Sequence, residues 1–308
     1  MTVRFQDSYD GALNYDVFED GEVTYFASLL LRADQEDVYS SYIRDNLFGY
    51  VASHYCDSVV ASKNKYVSLY LNGRYWGIYS IREHHSVEHF ASHMELPLDA
   101  VFMQKSFAKR GIGLYDVFKF CRENDLSDQA NYDYVASCLD VNSFADWTIL
   151  EAYSGNFDIY GNMRYYYSET DGLWRCGLSD LDLSLFKYDK DFGDMKFTLH
   201  HGVYVNALLQ NEGFQDLIAR RLAELVEGPL STEAIQGTVD MLAGTIRSEM
   251  PLEKERWGGS VKQWEKMVQK INGYLENRPT YMINNFCSVL RFTAEQKEQY
   301  FGHLLKDE

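Results

Sequence analysis

The sequence predicts an α+β protein with two lobes, a small strand-containing lobe followed by a larger, mainly helical one. Strand-like runs and an Asn-Gly hairpin lie before Glu83, whereas helical apolar spacing dominates after Tyr204. The 308 residues, 46% of them hydrophobic, supply enough apolar side chains for a sizeable core. Because the pattern changes from strands to helices near Glu83, we place the boundary between the lobes there.

The first predicted elements are a strand and a helix. Residues 23–32 form the apolar run Val-Thr-Tyr-Phe-Ala-Ser-Leu-Leu-Leu-Arg, which is typical of a buried strand. From Glu36 to Tyr55, apolar residues recur at helical spacing. We therefore expect a helix over that whole segment.

A β-hairpin is the most strongly predicted local structure. Tyr66 to Leu71 and Tyr75 to Ile81 both read as strands, and Asn72-Gly73-Arg74 separates them. An Asn-Gly pair between two such strands is the strongest short-range hairpin signal in a sequence, because both residues tolerate positive φ.

After Glu83 the pattern changes to helices, interrupted by a second hairpin. Met163 to Tyr167 and Leu173 to Leu178 predict its strands, on either side of Glu169-Thr-Asp-Gly172. The helices predicted in this part are Ser86 to His93, Val141 to Tyr153, Phe214 to Val226, Ser231 to Met250, Gly259 to Leu275 and Arg278 to Leu290.

Composition excludes several classes of partner. The formal net charge of −17 repels nucleic acid and anionic lipid, and an acidic protein that binds a polyanion needs divalent metal to screen its carboxylates. The chain has no apolar run of the roughly 20 residues that span a bilayer, so we expect no membrane insertion. Its polar start, Met1 to Gly11, does not fit a secretory signal. The five scattered cysteines lack a C-x-x-C pair and predict reduced thiols.

Two groups of polar residues flank the second hairpin and are candidates for chemistry. Asp158 and Asn162 lie between the predicted helix and its first strand, and Asp180 and Asp182 follow its second strand. Because a hairpin brings its ends together, Asp158 and Asp180 should be near neighbours. Close carboxylates repel each other, and a bound cation is the usual reason for tolerating that. Taken singly, each motif is more often a loop or a helix cap than a functional site.

Three stretches of the chain resemble the spore coat protein H (CotH) kinases, atypical members of the protein-kinase-like fold. The first runs from Leu30-Leu-Arg-Ala-Asp to Ser41-Tyr-Ile-Arg-Asp45 and is similar to the family's L-R and I-R-D pattern. The second, Leu69-Tyr-Leu-Asn-Gly-Arg-Tyr-Trp-Gly-Ile-Tyr-Ser-Ile-Arg-Glu83, resembles its Asn-Gly hairpin. The third spans Asp140 to Asp182 and resembles its catalytic core.

This resemblance implies a two-lobed kinase-like fold. Residues 1–83 would form a partial, truncated small lobe of strand, helix and β-hairpin. Residues 84–308 would form the helical large lobe with the catalytic-loop hairpin. The cofactors implied are ATP and Mg²⁺, and the reaction is phosphate transfer to Ser or Thr of a coat or extracellular protein. By the same resemblance, the protein would lie on a spore coat, at the cell surface or outside the cell.

The resemblance also implies individual roles. Asp158 would be the catalytic aspartate that orients the acceptor hydroxyl. Asp180 and Asp182, together with Asn162, would hold the metal. Asn162 would also contact the cofactor, as would Arg82 and Glu83, where the hinge to the large lobe starts.

One part of the family pattern has no obvious counterpart. The Gly-rich cover and the strand lysine that grips the phosphates should precede the I-R-D helix, where little sequence is available. Lys63 and Lys65 are expected to be solvated, and Lys105 and Lys109 are minor candidates for phosphate contacts. Two alternatives to a kinase therefore stay open. One is a pseudokinase-like structural or binding component, and the other is a metal-dependent hydrolase that uses Asp158, Asp180 and Asp182.

A histidine cluster suggests a further, minor possibility. His85, His89 and His93 fall on one helical face at i, i+4 and i+8, beside Glu88. Such spacing can bind a transition metal, although histidines of this kind are more often partly exposed helix residues.

Overall fold

The fold is described from a computed structural model of the chain, for residues 1–5, 11–33, 36–105, 113–186, 198 and 203–305. The strands are β1 (Thr2–Arg4), β2 (Leu13–Asn14), β3 (Tyr25–Phe26), β4 (Ser28–Arg32), β5 (Asn64–Leu71), β6 (Arg74–Glu83), β7 (Val101–Lys105), β8 (Arg164–Ser168) and β9 (Leu173–Gly177). The helices are α1 (Arg44–Tyr55), α2 (Val87–His93), α3 (Gly113–Glu123), α4 (Gln129–Ala136), α5 (Val141–Ser154), α6 (Val203–Leu208), α7 (Glu212–Glu227), α8 (Thr232–Ile246), α9 (Met250–Trp257), α10 (Val261–Leu290) and α11 (Ala294–Phe301). Small antiparallel sheets followed by a long helical region confirm the predicted α+β class.

The strands form three antiparallel sheets. The first has the order β1-β4-β6-β5, the second pairs β2 with β3, and the third has the order β7-β8-β9. Val60 joins the region of the first sheet to the third, since its N–H donates to Cys176 O at 2.9 Å and its carbonyl accepts from Leu178 N–H at 3.0 Å. The end of β9 is thereby held beside the segment that enters β5.

Both predicted hairpins are confirmed. In the β5–β6 hairpin, Leu71 pairs with Arg74 across a two-residue turn. Asn72 and Gly73 both have positive φ, at 51° and 74°. Both turn residues therefore lie in the left-handed region that type I′ hairpin turns require, and few residues other than Asn and Gly adopt it readily.

The first helix is shorter than predicted. It begins at Arg44 rather than at Glu36, because the Asp37 carboxylate accepts hydrogen bonds from the N–H groups of Ser41, Ile43 and Arg44 at 3.0, 2.8 and 3.2 Å. Asp37 is almost fully buried, and this local side-chain bonding replaces a helical turn.

The last long helix corrects a prediction of two separate helices. Gly259 to Leu275 and Arg278 to Leu290 belong to the single helix α10, with Pro279 inside it. Pro279 removes one helical N–H, but the buried face continues past it. The residues that continue this face are Ile271, Leu275, Met282, Ile283 and Phe286.

Among the elements that were not predicted are β7, α3 and α4. Strand β7 is paired with β8 along its whole length, from Val101 with Ser168 to Lys105 with Arg164. In α3, the buried residues Leu114, Val117, Phe118 and Cys121 follow the i, i+3, i+4, i+7 spacing. That spacing is legible in the sequence and could have revealed the helix.

The helices near the C-terminus contact the hairpin region of the first sheet. Glu253 of α9 is buried and accepts hydrogen bonds from Ile78 N–H at 2.9 Å and from the hydroxyls of Tyr42 and Tyr75. Trp257 Nε1 donates to Trp76 O at 2.8 Å. A helix from the second predicted lobe thus packs against the first lobe. The division into 1–83 and 84–308 stays a prediction.

Two expectations from composition can be compared with the structure. All five cysteines are free thiols, as predicted. Within the residues that the structure describes, every helix is too short or too polar to cross a membrane.

Arg278 fixes the end of α5. It is fully buried in α10, and its guanidinium donates to Tyr153 O at 2.8 Å and to Ala152 O. These carbonyls belong to the last turn of α5, where helical partners are missing. A buried guanidinium therefore anchors the point from which the next loop departs.

Replacing Arg278 with Met should lower the free energy of unfolding by about 3 kcal/mol, because two buried carbonyls lose a charged donor. Urea unfolding monitored by circular dichroism measures this change. The control is Arg220→Met, an exposed arginine of α7 that pairs with Asp216, for which we expect a much smaller effect. Equal effects of the two substitutions would contradict the anchoring role.

Candidate active site

The loop after α5 carries the first group of candidate residues. Gly155 has φ 65° and ends α5 in the left-handed conformation, which turns the chain into residues 156–162. Asn156 is buried, its amide donates to Glu151 Oε2 at 2.9 Å, and its Oδ1 accepts from Asp158 N–H at 3.1 Å. The position of Asp158 is thus set by α5.

Asp158 and Asn162 meet in this loop. The Asn162 amide donates to the backbone carbonyl of Asp158 at 2.9 Å and to its Oδ2 at 3.2 Å. Both residues are half-buried. One carboxylate and one amide are therefore paired where solvent or a ligand can reach them.

The segment after β9 lies beside this loop. Ser179 Oγ donates to Asn162 O at 2.7 Å, Phe157 N–H donates to Leu183 O at 3.4 Å, and Leu185 N–H donates to Ser154 O at 2.8 Å. The hairpin thus brings the loop and the segment with Asp180 and Asp182 together.

Arg32 joins the carboxylates of this segment. Its Nη2 donates to Asp180 Oδ1 and, at 2.7 Å, to Asp182 Oδ2, while its Nε lies 3.7 Å from Asp45 Oδ2. Asp182 is buried, whereas the Asp180 side chain is 30% exposed. Asp180 also has φ 67°, an uncommon conformation for a non-glycine residue and one that recurs at functional sites.

A second arginine completes the charge cluster. Arg82 donates to Asp45 Oδ2 and, at 2.8 Å, to Asn46 Oδ1, and Asp45 Oδ1 accepts from Leu181 N–H at 2.8 Å. Burial alone would raise the pKa of Asp45, but Arg82, Arg32 and the Leu181 N–H hold it well below its ordinary value. Burial raises the pKa of Asp182, and Arg32 only partly offsets this.

Glu151, which accepts a hydrogen bond from Asn156 of the loop, differs from Asp45 in its protonation state. It is buried in α5, and burial raises its pKa to about 8 despite the hydrogen bond from Asn156. At neutral pH this carboxyl is therefore mainly protonated. A neutral Glu151 adds no negative charge beneath Asp158 and Asp180.

The polar groups of Glu83 are engaged within the protein. Its N–H donates to Lys63 O at 3.1 Å, its carbonyl accepts from Ser62 Oγ at 2.9 Å, and its carboxylate contacts His89 and His93. Burial opposes ionisation, but the two histidines hold the pKa of Glu83 below its ordinary value. A cofactor role for Arg82 and Glu83 stays a prediction, and Arg82 faces the charge cluster.

A cleft of about 170 Å³ opens between β4, the end of β6 and the segment after β9. Its lining includes Asp45, Asp180, His84 and four cationic side chains from the described part of the chain, Arg32, Arg82, Lys105 and Arg164. Positive charge in an otherwise acidic protein marks this cleft as a place for an anionic ligand.

Lys63 is not solvated, contrary to expectation. It is buried, and its Nζ pairs with Asp20 at 2.6 Å and with Glu22. Lys65 pairs with Glu19 and remains partly exposed. Lys109 lies outside the described residues.

Arg32 and Asp45 are the residues that sequence reasoning missed. Both belong to the stretch that resembles the family, yet neither was given a role. The strand that ends at Arg32 pairs with β6 and precedes α1. Asp45 in the first turn of α1 supplies a matching carboxylate.

The carboxylates can share a cation. Asp180 Oδ1 and Asp182 Oδ2 both contact the single nitrogen Nη2 of Arg32. Carboxylate and amide oxygens are the donors that Mg²⁺ prefers. By the chemistry of their donor atoms, Asp180, Asp182 and Asn162 fit this metal.

The chain belongs to the CotH kinase family. The family model described as CotH kinase protein matches residues 3–282, which is most of the chain. No curated protein matches the sequence at a significant level. The resemblance found in the three sequence stretches is thereby confirmed.

Replacing Asp45 with Asn should lower the free energy of unfolding at pH 7 by about 3 kcal/mol, because Arg82 then lacks its buried counter-charge. The folded-state pKa of Asp45 lies below the ordinary value of about 3.9, so its stabilisation is present above about pH 4 and is lost as pH falls. The difference between wild type and variant should therefore shrink below that pH, as urea unfolding at several pH values would measure. With Asp99→Asn, an exposed control, a pH-independent and small difference is expected. A difference for Asp45→Asn that stays constant down to pH 3 would contradict the charge pairing.

Proposed function

We propose that this chain is a kinase domain that transfers the γ-phosphate of ATP to a hydroxyl group of a protein. The observation that carries the proposal is the convergence of Asp180 and Asp182 on Arg32, which lines a cationic cleft together with Asp180. Asp158 and Asn162 lie on the neighbouring loop, whose Asn162 carbonyl accepts a hydrogen bond from Ser179, the residue before Asp180. Phosphoryl transfer needs positioned carboxylates and cationic groups more than a nucleophilic side chain.

Asp180 and Asp182, with Asn162, are the proposed metal ligands. These residues would hold Mg²⁺, which would supply positive charge to offset the charge of the phosphates. The left-handed backbone at Asp180 keeps this side chain partly exposed at the cleft, whereas Asp182 is buried against Arg32.

Asp158 is the proposed group that orients the acceptor. Its N–H and Oδ2 are bonded to Asn156 and Asn162, so its carboxylate is held in a fixed direction. It would take the proton of the acceptor hydroxyl as the new P–O bond forms and the bond to the leaving ADP breaks.

Arg32 is proposed to supply the cation that the family pattern assigns to a lysine. Its planar guanidinium presents several donors, which suits both carboxylates and phosphates. Asp45 and Arg82 hold neighbouring charges in place, so removal of Arg32 should weaken both the cluster and nucleotide binding.

A second candidate function is a binding or structural role without turnover. The direct ion pairs of Arg32 with Asp180 and Asp182 favour it, because the proposed metal ligands are already neutralised by a side chain. The partner in either case would be a coat or extracellular protein, a proposal that rests on the family alone.

Binding of Mg-ATP should raise the melting temperature of the wild-type chain, and Asp180→Asn combined with Asp182→Asn should abolish the shift. Asp158→Asn should keep the shift and lose phosphate transfer to a protein acceptor by at least about a hundredfold, the lower range for a general base. Differential scanning fluorimetry and transfer of labelled phosphate measure the two effects.

Arg32→Lys and Arg32→Met separate charge from structure. Arg32→Lys should keep part of the Mg-ATP shift, whereas Arg32→Met should lose it. A shift without transfer in the wild type would favour the binding role. The absence of any shift at millimolar Mg-ATP would contradict nucleotide use. Phosphate release from model esters without ATP would instead support the hydrolase.

A further inference from the structure

A three-residue cluster at the end of β6 has no part in the proposed chemistry. Glu83 is the last residue of β6, and His89 and His93 lie on α2, four residues apart. Each offers one ligand atom, and these atoms lie within 4.8 Å of one another. Glu83 and His89 line a different cavity from the cleft that contains Asp180.

The contacts within the cluster are short and come from two elements. Nε2 of His93 lies 2.6 Å from Oε1 of Glu83, and Nε2 of His89 lies 3.2 Å from Oε2. The imidazole rings are nearly perpendicular, with centroids 4.7 Å apart. Lys63 N–H donates to Glu83 Oε2 at 3.0 Å and orients the carboxylate from outside the cluster.

The ring nitrogens of His89 lack well-formed hydrogen bonds among the described residues. Its side chain is only 3% exposed, and neither ring nitrogen has a hydrogen-bond partner of good geometry among the described residues. A buried nitrogen without a hydrogen-bond partner is unfavourable. Coordination to a metal would satisfy a neutral imidazole nitrogen directly.

We propose that Glu83, His89 and His93 form a binding site for a first-row divalent cation of the Zn²⁺ class. Two histidines four residues apart on a helix present both rings to one ion. With bonds of about 2.0–2.1 Å, tetrahedral ligand atoms are about 3.3 Å apart. The contact between His89 and Glu83, at 3.2 Å, is close to this spacing, and the contact between His93 and Glu83, at 2.6 Å, would lengthen on metal binding. Mg²⁺ prefers oxygen ligands to imidazole nitrogens. This site and the one proposed in the cleft should therefore bind different metals.

The site has room for a fourth ligand, and metal binding there would have a structural consequence. A cavity of about 430 Å³ borders Glu83 and His89 and is also lined by Ser86 and Glu88. Water from this cavity would complete the coordination. The metal would join α2 to the end of β6, where the chain passes from one predicted lobe to the other.

The ligand set differs from the one that histidine spacing suggests. Nδ1 of His85 lies 3.0 Å from the Tyr166 hydroxyl, and Glu88 is exposed. Glu83 takes the third position because β6 ends beside the inner face of α2. Only the tertiary fold reveals this arrangement.

Zinc binding to the full chain tests the proposal. Chelator-stripped protein without nucleotide should bind one equivalent of Zn²⁺ in a competition titration with a chromophoric chelator. His93→Gln should weaken binding by at least about tenfold, a lower bound for loss of a direct ligand. Co²⁺ should give the visible absorption of tetrahedral coordination in the wild type and not in the variant.

Matched controls separate this site from others. His54→Gln changes an exposed histidine of α1, and Asp180→Asn changes the cleft, so both should bind Zn²⁺ as the wild type does. Circular dichroism of metal-free His93→Gln checks the fold, and Glu83→Gln gives a second variant that should lose affinity. Failure of the wild type to bind Zn²⁺, unchanged affinity in a folded His93→Gln, or loss of binding in Asp180→Asn would overturn the proposal.

Discussion

The ion cluster around Arg32 is the constraint on which the candidate site depends. Arg32 ends β4, Asp45 lies in the first turn of α1, and Asp180 and Asp182 follow β9, so three parts of the chain meet at one guanidinium. Three carboxylates this close repel one another unless cations balance them. Arg32 and Arg82 supply that balance, and the Leu181 N–H completes it. A buried ionic network of this kind specifies an arrangement more than it stabilises the fold, because desolvation offsets much of the attraction.

The helical region determines where the other half of the site lies. Arg278 holds the last turn of α5, Gly155 turns the chain, and Asn156 fixes Asp158 against the protonated Glu151. The positions of the loop residues are thus fixed by a packed helix. A preorganised site requires this kind of support. The neutral state of Glu151 matters because an additional buried charge would disfavour ionised carboxylates beside it.

The sequence predicts the local elements well and the tertiary pairings poorly. Asn72-Gly73 and the second hairpin have short-range signals, and the order of Asp158, Asn162, Asp180 and Asp182 around that hairpin indicates their proximity. The partnership of Arg32 with Asp180 has no such signal, since 148 residues separate the two. The helix expected from Glu36 fails because the buried Asp37 binds the backbone of the turn, a choice that apolar spacing does not encode.

The end of β6 contributes residues to both proposed sites, because its alternate side chains face opposite sides of the strand. Side chains of successive strand residues point to opposite faces. Ser80 and Arg82 therefore meet Asn46 and Asp45 of α1, on the side of the charge cluster, while Glu83 meets His89 and His93 of α2. The backbone of Glu83 is held on both sides, by β4 and by the Ser62–Lys63 segment. A cation bound by α2 would thus act on the same rigid strand end that positions Arg82, so the geometry of the cleft and the occupancy of the histidine site share one structural element.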